Sequence, residues 1–137
     1  MRKFMIYAAL AFVVVLLVFI IALVISSNPL RKPVEEIREM MLELTPIGMN
    51  MEDAVKVLDM VKIDNNWERM SVNYNRGVVM GELGRGGPPV GKHSIRALLG
   101  RYRDSLGGQI VDVHWAFNEN YELMEIFVNK LATMNLW

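Results

Sequence analysis

The stretch Gly84–Ser94, GRGGPPVGKHS, holds residues of the kind that grip phosphate. In a phosphate-cradling loop, G-x-x-x-x-G-K-[ST], backbone amides surround the phosphates, the lysine reaches them and the hydroxyl binds Mg²⁺. Gly86, Gly91 and Lys92 fit that spacing, but His93 stands in the hydroxyl position and Ser94 falls one residue late. Pro88 and Pro89 remove two amide donors from the turn. Only 43 residues follow Ser94, too few to complete an α/β nucleotide domain. We read the match as an accident of a glycine-rich turn, with an anionic-ligand or nucleotide site over 84–103 as the alternative.

The same region is basic. Arg85, Lys92, Arg96, Arg101 and Arg103 lie in a window with no acid until Asp104. With His93 and Tyr102 they form a candidate contact for anionic headgroups, a polyanion or an acidic protein face. The competing reading is a solvated strand face and loop. On a regular strand Arg96 points away from Arg101 and Arg103, which splits the patch; a helix regroups them.

Asp112 and His114 stand two apart, on one face of a strand, and could touch one ligand. Zinc needs three or four ligands, so the pair reads as the polar side of a half-buried strand. No Ser/His/Asp order stands out, and no carboxylate pair sits where a raised pKa is implied. The chain has no cysteine, which excludes a disulfide framework, a thiolate metal site, a cysteine nucleophile and a lipidated cysteine. No catalytic residue, metal or cofactor is assigned, and the chain reads as a non-enzyme.

These residues need a scaffold, and 137 residues allow one domain. Met5 to Ile25, MIYAALAFVVVLLVFIIALVI, is 21 residues without a charge. About 20 apolar helical residues cross a hydrocarbon core of roughly 30 Å. The block exceeds a signal-peptide core, so an uncleaved signal-anchor is expected. Arg2 and Lys3 precede it, and Arg31 and Lys32 follow it. The short amino flank and the terminal amine favour residues 1–4 in the cytoplasm and the remainder outside. Lys+Arg and Asp+Glu both total 15, and all but Arg2 and Lys3 lie beyond the apolar block. Overall neutrality gives no reason to expect nucleic acid.

A linker and helix are expected over 26–44, with Pro33 at its first turn and Val34, Ile37, Met41 and Leu44 as its stripe. A domain follows over 45–137. Thr45-Pro46 ends the first helix, and Asn50 caps a second over about 51–61. Period-two alternation marks a strand from Trp67, a second from Val111 to Phe117 and a return from Leu123 to Val128, joined by a hairpin at Asn118–Tyr121. Residues 94–102 fit strand or short helix, tilted towards strand by Gly100. Trp67, Trp115 and Phe117 read as core, and Trp137 as an exposed chain end. The fold class is α+β: an N-terminal transmembrane helix, then two helices and a small antiparallel sheet.

The segments TPIGMNMEDAVKVL, WERMSVNY and VDVHWAFNENYELMEIFV, in that order, resemble BamE/SmpA-like envelope domains. The carboxy-terminal hairpin is also similar to that of uncharacterised bacterial membrane-anchored proteins. The likeness covers about residues 45–130, and the family's lipidated cysteine is replaced here by the apolar stretch. It implies a β-lactamase-inhibitor-protein-like layout and a binding or scaffolding role outside the cytoplasm. The expectation is a single-pass module of the cell envelope that contacts the bilayer through 5–25 and binds an unidentified envelope protein; no oligomeric state follows.

Overall fold

The computed structural model describes residues 1–26 and 28–133, so the expectation for Trp137 lies outside the described residues. The chain forms two units, Met1–Arg31 and Lys32–Trp137. The first is helix α1, Arg2–Ser26, followed by a 3₁₀ turn at Pro29–Arg31. Within α1, Lys3–Leu23 is long and apolar enough to cross a membrane, with a mean hydropathy of 3.2 and none of its length buried.

The second unit begins with α2, Val34–Leu44, and α3, Met51–Asp64. Glu35 and Glu36 occupy the first turn of α2, where negative charge suits the helix dipole. Its Ile37 and Met41 are buried, whereas Leu44 is left on the surface. The Asn50 side chain caps α3 by accepting from the Glu52 amide at 2.9 Å. That helix runs one turn further than expected and buries Met51, Ala54 and Leu58.

The sheet is an antiparallel meander in the order β1 (Arg69–Asn73), β2 (His93–Asp104), β3 (Gly107–Phe117), β4 (Leu123–Thr133). The ambiguous 94–102 segment is therefore strand. Val78–Met80 is not a strand: Val78 makes one isolated bridge with Val90, and Met80–Leu83 is a 3₁₀ turn.

One sheet face carries Ile95, Ala97, Val111, Val113, Trp115, Ile126 and Val128 into a common core with α2 and α3. Burial of side chains this size stabilises by about 1.5–3 kcal/mol each before entropy is counted. Trp115 is fully buried and donates its indole N–H to Thr45 Oγ1 at 3.0 Å. Thr45 Oγ1 donates in turn to the Met41 carbonyl at 2.8 Å. The residue that ends α2 therefore also satisfies the core tryptophan.

Along the outer edge of β4, Arg38 Nε donates to the Ile126 carbonyl at 3.1 Å and Glu125 accepts from the Ile126 amide at 2.9 Å. Arg38 also pairs with Glu125. The Leu123 backbone is bonded to Gly48 and Met49. Side chains and a loop thus occupy an edge that would otherwise template another strand.

Candidate functional site

The other sheet face is where the polar residues gather, and one irregularity decides which. β2 and β3 pair Leu98 with Asp112, then Gly100 with Val111, leaving Leu99 as an extra residue. A bulge of this kind inverts the alternation of everything beyond it. Arg101 then pairs with Ile110 and Arg103 with Gly108, on the face that carries Arg96. The expectation that Arg96 points opposite to Arg101 and Arg103 is therefore corrected: one inserted residue reunites them.

At the centre of this face Asp112 is 1% exposed and His114 3% exposed. Asp112 Oδ2 accepts from Arg96 at 2.9 Å and lies 3.1 Å from His114 Nε2. Arg96 also reaches Glu82 at 3.5 Å, and Glu82 pairs with Arg76 at 3.0 Å. Burial pushes the Asp112 carboxyl up, but its hydrogen bonds and charge interactions with His114 and Arg96 outweigh that and hold it below the ordinary carboxylate range. Asp112 is thus an ionised, buried carboxylate inside a paired network. The Asp–His pair has no nucleophile bonded to it among the described residues. The nearby Ser94 hydroxyl donates to the Arg76 carbonyl at 2.7 Å. The network holds strands and loop together.

The loop from Arg76 to Gly91 folds over one end of this face. Val78 and Leu83 bury against Ala116, with Met80, Val90 and Phe127 packed around them. Val78, Met80, Leu83 and Val90 are therefore the cover, and the glycines at 84, 86 and 87 between them stand in open space. A Cβ on Gly77 would stand 2.2 Å from the Gly91 carbonyl oxygen, so glycine is required there. Gly91 has φ +79°, and the following Lys92 amide donates to the Phe117 carbonyl at 2.7 Å. A strand, β2, begins at His93 where a phosphate loop would run into a helix.

The six sequence-level candidates scatter accordingly. Arg85 sits over the Phe127 ring at 5.8 Å, on the covered end. Lys92 is exposed at the start of β2. His93 is buried, stacks on Tyr121 with ring centres 4.3 Å apart and accepts the Asn75 amide at Nδ1. Arg96, Arg101 and Arg103 share the open face, and Arg101 pairs with Glu68 at 3.2 Å.

Beyond the loop the face stays uncovered, forming a shallow depression of about 450 Å³. Arg69, Arg96 and Arg101 line it with Leu98, Ile110 and Leu131, and Asp112 is at its floor. Arg69 makes no ion pair or hydrogen bond through its side chain among the described residues, and Asp112 Oδ1 is buried without a partner. Arg69 and the apolar trio escape a linear reading. Their signal is the β2–β3 turn at Asp104–Gly107, which sets the register that brings them together. Among the described residues no group of three or more His, Asp or Glu could hold a metal ion. No known protein family matches the chain, and neither a curated protein nor a solved structure matches it.

Proposed function

We propose that the chain is a single-pass, membrane-anchored, non-catalytic interaction module of the cell envelope, and that the uncovered half of its sheet is the binding surface. The observation that carries this is the depression itself, which sets arginines beside exposed Leu131 and half-buried Leu98 and Ile110. Such a mixture suits a partner segment presenting carboxylates next to aliphatic groups, where charge gives register and apolar contact gives affinity. The anchor rests on α1, apolar on all sides and not buried by protein, a pattern that a bilayer accommodates. Placement of the domain outside the cytoplasm rests on the short amino flank. Two helices ahead of an antiparallel sheet are the layout that the BamE/SmpA-like resemblance implies.

The test has two arms in cells expressing the full chain. A tag after Trp137, probed with protease before and after lysis, is expected to be cleaved before lysis; protection until lysis overturns the outward placement. A photoreactive residue at Leu131 or Ser71 is expected to crosslink a discrete protein, whereas one at Lys56 on α3 does not. Equal labelling at all three positions, or none at any, would sink the choice of surface.

A further inference from the structure

We infer that β1 is a docking edge, where an extended segment of the partner adds as a further strand, with carboxylates beside Arg69 and aliphatic side chains over Met70 and Val72. This deepens the reading of the open face as the binding surface and rests on it.

The two edges of the sheet differ. At β4, Arg38, Glu125 and the Gly48–Met49 backbone bond the outward groups of Ile126 and Leu123. β1 pairs only with β2, and among the described residues nothing bonds the backbone of Arg69–Asn73 on its other side. In an antiparallel pair alternate residues bond the neighbouring strand, and those between turn amide and carbonyl outward. Five residues of extended chain, roughly 17 Å, therefore offer donors and acceptors to a second backbone.

The side chains on either side of that row define what it would take. Met70 and Val72 pair with Ala97 and Ile95, which are fully buried, yet are themselves only half-buried. The core is thus open along β1, and an aliphatic side chain from an added strand would close it. On the opposite face Arg69 and Ser71 are exposed and line the depression, and Ser71 and Asn73 line a smaller hollow beside the cover loop. A residue directly opposite Arg69 would stand about 5 Å away, close enough for its carboxylate to engage the guanidinium. A second copy fits less well. β1 set antiparallel to itself about Ser71 puts Arg69 opposite Asn73 and brings no acid to either arginine. The partner is therefore an extended segment that alternates aliphatic and acidic residues and enters the depression from the side of β1.

The probe is a short peptide of alternating valine and glutamate, titrated into the full-length protein in detergent and followed by hydrogen exchange of the protein's amides. Exchange is expected to slow at the outward amides of β1 and not along β4. Replacing glutamate by lysine in the peptide is expected to weaken binding at least about fivefold, and Arg69→Glu, at an exposed site, to reverse that preference. Two further peptides carry N-methyl groups along one backbone edge or the other. One of them is expected to bind at least about tenfold more weakly, because its donors to β1 are gone. Equal binding by both overturns the added strand, as does no binding of the unmodified peptide at millimolar concentration. Ser71→Cys in this cysteine-free chain tests the rival occupant. A disulfide between two copies, absent for Asn120→Cys, gives the edge to a second copy and overturns the acidic partner. Crosslinking of a protein from Leu131 in cells, with exchange along β1 unchanged by peptide, would sink the docking edge and leave the open face standing. Peptide protection of β1 without any crosslink from Leu131 would instead sink the open face as the binding surface.

Discussion

Asp112 shows how a buried charge is kept, and what its removal costs. Its oxygen Oδ2 serves Arg96 and His114 together, so Asp112→Ala leaves the buried His114 imidazole without this partner and Arg96 with Glu82 alone. Breaking a buried pair from one side costs about 3 kcal/mol, read as a lower urea midpoint at pH 7. The folded-state pKa of Asp112 is depressed, so its contribution is present above the unfolded value of about 3.9 and disappears as pH falls through the lower folded value. The stability gap between wild type and Asp112→Ala is therefore expected to shrink in acid, as a urea titration at stepped pH will show. A gap independent of pH would mean the carboxylate's charge is immaterial. Glu125 acts in the same direction. Burial raises it, but the hydrogen bonds from Arg38 and the Ile126 amide, with the Arg38 charge, lower it overall. Thr45 makes a quieter case. Thr45→Val leaves the Trp115 indole N–H buried without its acceptor, an expected loss of about 1–3 kcal/mol in chemical denaturation.

At the scale of elements, the cover loop and the bulge shape the open face. Gly77→Ala forces a methyl into the Gly91 carbonyl and is expected to cost roughly 2–3 kcal/mol. Gly86→Ala meets no heavy atom within 4 Å and should change stability by less than about 0.5 kcal/mol. Comparing the two by thermal unfolding separates a packed cover from a loose one; equal and small effects would refute the packing. Gly86 belongs to the stretch that looks like a nucleotide loop in sequence, yet the constrained glycine is Gly77, outside that stretch and held against the Gly91 backbone, which shows how local composition misleads when the constraint is a distant backbone. Helix positions and three of the strands were legible because capping chemistry and apolar periods are local. The face shared by Arg96, Arg101 and Arg103 was not, because alternation from one residue to the next carries no mark of an inserted Leu99. Asp112 and His114 were legible as a pair on one face. Their bond to Arg96 needs a register set by a turn at Asp104–Gly107 that has no strong turn dipeptide.

Across the whole molecule, the two units divide the physical tasks. Among the described residues of Met1–Arg31 none is buried. Residues 32–137 released from it are expected to unfold in one transition, with the midpoint of the full chain in the same detergent. A midpoint lowered by several degrees would show that the apolar helix supports the domain. The sequence announces this division openly, since 21 uncharged residues end just before a Pro- and Lys-containing linker. It is quieter about what the domain does, because a depression made of four strands belongs to no contiguous motif. The extra residue at Leu99 also has a bearing on descent. Substitutions along β2 can retune the arginine face one side chain at a time, but losing or gaining a single codon near the bulge would turn Arg101 and Arg103 towards the core. Lineages of this protein should therefore diverge freely in the identity of those residues while keeping the length of β2 constant.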